Sequence, residues 1–174
     1  MEQGRSNTAP LLYNAGMPTL IDGHNLVPKM GLSLASFDDE LQLAERLSDY
    51  CRLARKTGLE IYFDNAPDGY PATRRIGLVT AYFVRRPQIA DEAIRLRLKK
   101  LGKAAKNWGV VSSDHRVQAE ARTAGARVFS SDEFAAIVGA ALRAGPAASD
   151  ARNAIGPREV DEWLKIFSER GKQK

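Results

Sequence analysis

Four short segments place an Asp directly after an apolar run or at the start of a helical pattern, and three of them have the pattern of β-strands. The segments are residues 20–25, 61–64, 89–92 and 110–114. In an open parallel sheet, ligands bind just beyond the carboxyl ends of the strands. We therefore expect one crevice to hold four carboxylates: Asp22, Asp64, Asp91 and Asp114. Such a cluster repels itself unless a divalent cation lies among its oxygens, so the pattern favours metal-dependent phosphodiester chemistry.

Strand and helix patterns alternate along the chain and predict an α/β fold with a mainly parallel, five-stranded sheet. The predicted strands are residues 18–21, 59–63, 76–84, 108–112 and 127–129. The predicted helices are residues 36–56, a helix opening at Asp91, residues 115–124 and residues 131–143. Ser36 resembles the N-cap of the first helix. Cys51 falls on the apolar stripe of that helix, so we expect a packed thiol rather than a nucleophile.

The two ends of the chain differ in composition from its centre. Residues 1–16 are polar and small, and are predicted to be a leader or tag, with Met17 as the natural start, or an ordinary disordered N-terminus. Residues 17–143 form the predicted domain. Residues 144–156 have the composition of a linker. Residues 157–170 predict an amphipathic helix that docks on its own domain, another subunit or a partner.

Composition narrows the classes of function. Lys and Arg number 26 against 21 Asp and Glu, giving a formal net charge of +5 that permits an anionic partner such as RNA. The single cysteine excludes an internal disulfide. The chain has no apolar run near the ~20 residues of a membrane helix and no signal-peptide pattern. A cytoplasmic protein with no membrane partner is the prediction.

Several motifs, in order, resemble the YacP-like branch of the NYN domains, within the PIN-like nuclease superfamily. They are Ile21-Asp22-Gly23-His24-Asn25-Leu26, Phe63-Asp64, Ala90-Asp91-Glu92-Ala93-Ile94, Val111-Ser112-Ser113-Asp114 and Gly125-Ala126-Arg127-Val128. The resemblance covers about residues 17–143 and a tail segment, residues 159–167. It implies a PIN-like three-layer α/β/α sandwich with metal-dependent endoribonuclease activity, and some relatives act on messenger RNA at the ribosome.

The resemblance also implies which residues form the site. The family's acids fall on Asp22, Asp91 and Asp114, and Asn25 matches the NYN asparagine. Asp64 matches the acid after the second strand. His24 stands where the family often carries Tyr, which leaves the role of this position open. Many PIN-like nucleases have a further acid in an early helix, for which this chain offers Asp39 or Glu40.

The expected cofactor is Mg2+ or Mn2+, which can activate water and neutralise charge on phosphoryl oxygens. Asp22, Asp91, Asp114 and Asp64 are the predicted metal ligands, and Asn25 is predicted to orient Asp22 or a bound water. Each acid has a simpler interpretation. Asp22 and Asp64 could be turn residues, and Asp91 and Asp114 could be helix N-caps.

Single-stranded or loop RNA is the predicted partner, with the ribosome as a further option. The predicted RNA contacts are Arg74, Arg75, Arg85, Arg86 and Arg95. Tyr70 and Tyr82 could stack on unpaired bases or pack within the protein. The basic residues from Lys99 to Lys106 could equally be a solvated helix face. The oligomeric state stays open, with a homodimer among the options.

Two other functions compete with a nuclease. A non-catalytic RNA- or ribosome-binding module would keep the fold, but a protein that only binds phosphate gains nothing from clustered acids. A phosphatase or nucleotide-binding protein is the third hypothesis. It is disfavoured because neither GxxxxGK[ST] nor GxGxxG follows a predicted strand.

Overall fold

The structure is a computed structural model that describes residues 16–35 and 37–145. A six-stranded sheet lies at its centre, in the order β3-β4-β2-β1-β5-β6. The strands are β1 (Thr19–Asp22), β2 (Leu59–Phe63), β3 (Thr73–Ile76), β4 (Val79–Phe83), β5 (Gly109–Val111) and β6 (Arg127–Phe129). Neighbouring strands are parallel except for β3 and β4. Because β1, β2 and β5 are buried along their whole length, they read as apolar runs rather than as alternating patterns.

Helices cover both faces of the sheet. They are α1 (Gly23–Leu26), α2 (Phe37–Leu53), α3 (Ala90–Leu101), α4 (His115–Thr123) and α5 (Ser131–Ala144). Two short 3-10 segments, Pro28–Met30 and Gly102–Asn107, join them. Buried side chains of α2 and α5 share one core cluster, and those of α3 and α4 share a second cluster. The predicted three-layer α/β/α sandwich is confirmed.

The predicted third strand is a hairpin, so the sheet has six strands rather than five. Residues 76–84 contain a turn at Gly77 and Leu78, and the chain before it returns as the antiparallel edge strand β3. Gly77 has a φ of +57°, a conformation that favours glycine. Ser48 of α2 fixes this turn, because its Oγ accepts a hydrogen bond from the Leu78 amide at 3.0 Å. Because Ser48 and Leu78 are 30 residues apart, the local sequence gives no sign of the contact that fixes this turn.

The short helix α1 and the 3-10 segment Pro28–Met30 lie where the sequence predicted no helix, and the remaining element predictions differ from the structure at their ends. The first long helix is three residues shorter than predicted at its C-terminus, ending at Leu53. Ser36, the leader up to residue 15, the linker from residue 146 and the C-terminal helix lie outside the described residues. Cys51 is fully buried, and burial raises the pKa of its thiol to about 11. It is the packed thiol that was predicted. No helix within the described ranges has the length and apolarity needed to cross a membrane.

Candidate active site

The carboxyl ends of β1, β2, β4 and β5 lie at one edge of the sheet. The parallel register brings this about, since Asp22 pairs with Tyr62 and Ile21 pairs with Val111. Asp22 is the last residue of β1, Asp64 follows β2, and Ser112 follows β5. Polar side chains that are distant in sequence therefore meet at the place where α/β sheets bind ligands.

Asp22 is the most buried of the four acids, with 5% of its surface exposed. Its Oδ1 accepts a hydrogen bond from the Asn25 amide at 3.2 Å, so Asp22 caps helix α1. Its Oδ2 accepts from Asn25 Nδ2 at 2.7 Å. The next residue must be glycine, because a Cβ on Gly23 would lie 2.3 Å from the Phe63 ring. The close approach of α1 to β2 thus buries this carboxyl.

Two further carboxyls lie close to Asp22. Burial, a side-chain hydrogen bond with Asp91 and the negative charges of Asp91 and Asp64 together raise the pKa of Asp22 to about 7, against the lowering effect of the Asn25 amide. Two carboxyls within hydrogen-bonding reach must share a proton or a cation. Asp91 is not an N-cap. Helix α3 begins at Ala90, and its N-cap residue is Ile89, which makes no side-chain capping hydrogen bond. The cap interpretation of Asp91 is therefore wrong.

Asp64 joins the second strand to both α3 and α1. Its Oδ1 accepts a hydrogen bond from the Ala90 amide at the start of α3. Its Oδ2 lies 3.4 Å from His24 Nδ1, while His24 Nε2 lies 2.8 Å from Glu40 Oε1. The hydrogen bond with Glu40, followed by the charge of Glu40 and the contact with Asp64, raises the pKa of His24 against the opposing effect of burial.

Asp39 and Glu40 are the two early-helix acids between which the sequence left the choice open. The structure places Glu40 beside His24 of the cluster, and its role as the family's further acid stays a prediction. Glu40 is 9% exposed, and its Oε2 is buried without a hydrogen-bond partner. Both ring nitrogens of His24 face carboxylate oxygens, and only the imidazolium has an N–H to donate at each nitrogen. In that protonated form, which the raised pKa of His24 favours, the ring would place a positive charge between Glu40 and Asp64. No local pattern in the sequence distinguishes Glu40 from Asp39, because the difference depends on the contact with His24, which is 16 residues away.

Asp114 is connected to Asp22 through Ser112 and Asn25. Asn25 Nδ2 donates to Ser112 Oγ at 3.3 Å, and the same oxygen accepts from the Asp114 amide at 3.1 Å. Asp114 Oδ1 caps α4 by accepting from the amides of Arg116 and Val117 at 2.8 and 2.9 Å. Its cap interpretation is confirmed, and its role as a metal ligand stays a prediction. Ser112 was not predicted as a site residue. Its only feature in the sequence is a hydroxyl side chain directly after the apolar run of β5.

The donor chemistry of the cluster fits Mg2+ or Mn2+. Within residues 16–35 and 37–145, no three His, Cys, Asp or Glu side chains are placed to hold one metal ion together as direct ligands. Mg2+ keeps several waters and takes only one or two carboxylates, so a pair such as Asp22 and Asp91 is sufficient. The unpartnered buried oxygen of Glu40 is a further acceptor on this side of the sheet.

The predicted RNA-contacting arginines lie in three places. Arg74 and Arg75 belong to the edge strand β3, not to a loop as the sequence indicated. Arg85 and Arg86 are exposed after β4, where Arg86 Nε donates to Asn65 Oδ1 at 2.9 Å. Arg95 lies in α3 and donates to Glu120 of α4 at 2.5 Å. None of these contacts tests RNA binding, which stays a prediction.

Tyr82, which could have stacked on a base, and Arg97, a further basic residue of α3, both make contacts within the protein. Tyr82 stacks on Tyr62 with ring centroids 4.8 Å apart, as the packing interpretation predicted. Arg97 donates to both oxygens of the buried Glu60 at 2.8 and 3.0 Å and lies over the Trp108 ring. A buried carboxylate without such a partner would be costly, so we assign Arg97 to stability rather than to RNA.

Comparison with known proteins gives a family and a fold. The sequence model of the YacP-like NYN domain matches residues 19–164. The crystal structure of Rae1 (YacP) from Bacillus subtilis is similar, with a TM-score of 0.60 and 19% identity over 90% of this chain and 95% of that chain. A mutant of the same protein has a TM-score of 0.59 and 21% identity over 84% and 89%. A comparison with curated protein sequences gives no match.

Proposed function

Because this chain belongs to the YacP-like NYN domain family, a family of nuclease-type domains, we propose that it is an endoribonuclease that hydrolyses RNA phosphodiester bonds with a divalent metal ion. The observation that supports this most is the burial of Asp22 beside Asp91 and Asp64. Folding this much negative charge together is unfavourable, and a fold that only needed stability would gain from removing it. An activity that requires a bound cation would explain why these carboxylates lie together.

Each residue of the cluster has a proposed role. Asp22 and Asp91 would hold Mg2+ or Mn2+, with Asp64 and Asp114 as further acceptors for the ion or its waters. When bound, such an ion supplies an activated water and neutralises charge on the phosphoryl oxygens. Asn25 holds the Asp22 carboxylate in one orientation, since it donates to Asp22 Oδ2 from its side chain and to Oδ1 from its backbone.

His24 and Ser112 are proposed as positioning residues. His24 lies between Glu40 on α2 and Asp64 after β2, so it fixes the distance between these two acids. Ser112 Oγ fixes Asn25 and the Asp114 amide at once. Gln118 Nε2 donates to the Ser112 carbonyl at 2.7 Å and holds the end of β5 in place. These neutral or cationic groups keep the carboxylates in one arrangement without adding negative charge.

The test is cleavage of a single-stranded RNA labelled at one end, in Mg2+, in Mn2+ and in EDTA. The wild-type protein should cut only with a metal, and Asp22→Asn should lose at least 100-fold in rate while it remains folded. Asp49→Asn is the matched control, because it makes the same change at an exposed position of α2 that pairs with Arg52 of its own helix, outside the cluster. Comparison of free RNA with ribosome-bound messenger RNA would test the proposed action at the ribosome in the cytoplasm.

The alternative is a non-catalytic RNA-binding module with the same fold. It is favoured by the absence, among the described side chains, of three residues placed to hold one metal ion directly. If the wild-type protein binds RNA but cuts it with neither metal, this alternative replaces the nuclease. If Asp22→Asn cuts at the wild-type rate, the activity belongs to another site.

A further inference from the structure

A row of aromatic rings leads from the acid cluster to a loop flanked by the exposed Arg74 and Arg85. His24 packs edge-on against Phe63, with ring centroids 6.2 Å apart. Phe63 stacks on Phe83 at 5.5 Å, and Phe83 meets the edge of Tyr70 at 4.8 Å. These rings follow α1, β2, β4 and the loop after β2 along the carboxyl edge of the sheet. Tyr70, which is half-buried, is thus connected to the site through ring contacts.

Two arginines hold Tyr70 in place. Arg74 Nη1 donates to the Tyr70 hydroxyl at 2.6 Å, and Arg85 Nη2 donates to the Tyr70 carbonyl. The Tyr70 amide also donates to the Pro67 carbonyl at 3.1 Å, which closes the loop. Both arginines are exposed. A guanidinium carries five N–H donors, so each retains donors for a phosphate after making its contact with Tyr70.

We propose that Tyr70, Arg74 and Arg85 form a subsite for an unpaired nucleotide of the RNA substrate. The base stacks on the Tyr70 ring, and the adjoining phosphates bind the two guanidinium groups. Stacking is open to any base and excludes a paired one, so the subsite selects single-stranded RNA without a strict sequence requirement. This inference rests on the proposed function, because it places the subsite along the RNA path that leads to the acids.

The geometry distinguishes Arg74 from its neighbour Arg75. Residues directly opposite in an antiparallel pair point to the same face of the sheet. Arg74 is paired with Ala81, which belongs to the same core cluster as Phe83, against which Tyr70 packs. Arg75 is paired with Thr80 and therefore points to the other face. The two residues carry the same charge at adjacent positions, but only Arg74 reaches Tyr70.

The test measures RNA affinity without cleavage. An Asp22→Asn background in EDTA is titrated against a fluorescent single-stranded 12-mer, with anisotropy as the readout. Tyr70→Ala should weaken binding about tenfold, in keeping with the loss of one stacked base. Arg74→Ala and Arg85→Ala should each reduce the slope of log affinity against log salt by about 0.7, as expected for one lost phosphate contact to a single strand.

The control variants separate the subsite from general charge. Tyr70→Trp should retain affinity because it keeps a stacking ring, and it also guards against a loop disrupted by Tyr70→Ala. Arg75→Ala should lose less than Arg74→Ala. Arg122→Ala should leave binding unchanged, since Arg122 lies in the last turn of α4, at the opposite end of that helix from Asp114. A duplex of the same sequence should show no dependence on Tyr70.

The subsite is wrong if Tyr70→Ala binds like its parent, or if Arg74→Ala and Arg75→Ala lose the same amount. Failure of the nuclease proposal gives a different result. If the protein never cuts RNA but its affinity for single strands depends on Tyr70 and Arg74, the subsite is supported and the nuclease proposal is refuted. If the protein is a metal-dependent nuclease whose RNA affinity does not change in Tyr70→Ala, the nuclease proposal is supported and the subsite is refuted.

Discussion

Replacing Asp22 with Asn should make the metal-free protein more stable at pH 8. The pKa of Asp22 rises from 3.8 to about 7 on folding, and such a rise corresponds to a cost of about 4 kcal/mol once the group is ionised. The sign follows from the direction of the rise. The folded state binds the proton more tightly than the unfolded state, so the cost is absent below pH 4 and complete above pH 7.

Asparagine removes the charge but keeps only one acceptor oxygen for the two donors of Asn25. The lost or weakened hydrogen bond should cost about 1–2 kcal/mol. The expected net gain is about 2 kcal/mol at pH 8, or roughly 4–8 °C in Tm for a protein of this size. At pH 4 the gain disappears, and Asp22→Asn should be equal to or slightly less stable than wild type.

Urea denaturation in EDTA at pH 4, 6 and 8 measures this difference. His24 also contributes to the pH dependence with the same sign, since its pKa is raised and its stabilising contact with Glu40 weakens as the pH rises. Because His24 is present in both proteins, the difference between them isolates Asp22. Asp49→Asn controls for the chemical change at an exposed carboxylate. Parallel pH curves for wild type and Asp22→Asn would refute the argument that this charge is buried at a cost.

Two further predictions concern the supports of the site. Gly23→Ala should destabilise the protein by about 1–3 kcal/mol, measured by urea denaturation, because the new methyl group meets the buried Phe63 ring. Ser112→Ala should lower cleavage by about 10-fold with the fold retained, as Asn25 and the Asp114 amide lose their common acceptor. Equal cleavage rates would show that Ser112 serves the fold alone, and an undiminished stability of Gly23→Ala would show that α1 can move away from β2.

The strands and most helices could be predicted because their signals are local. Apolar runs such as residues 59–63 fit a strand buried on both faces, and the four-residue spacing of Ala90, Ile94 and Leu98 fits an inward helix face. The hairpin could not be predicted in the same way. Residues 76–84 form one apolar and aromatic run, and the turn at Gly77 is fixed by Ser48 from another layer.

The site could be predicted as a set of residues but not as an arrangement. An Asp at or shortly after the ends of β1, β2 and β5 is visible in the sequence, and the register of a parallel sheet brings such residues to one edge. Which of them lie in contact depends on side chains from elsewhere. Asp91 reaches Asp22 directly, whereas Asp114 turns its Oδ1 to its own helix and is reached only through Ser112.

The acid cluster and the arginines Arg74 and Arg85 oppose each other in their effect on RNA, and this opposition defines the proposed function. Without a cation, Asp22, Asp64 and Asp91 repel the phosphate that has to be cut, while Arg74 and Arg85 attract its neighbours. A bound cation removes the repulsion, so metal and RNA should each tighten the binding of the other, and by the same factor. A module that only bound RNA would have no reason to oppose its own ligand. The buried acids therefore support a catalytic reaction at this edge of the sheet. Arg74 and Arg85 support RNA as the substrate that reaches it.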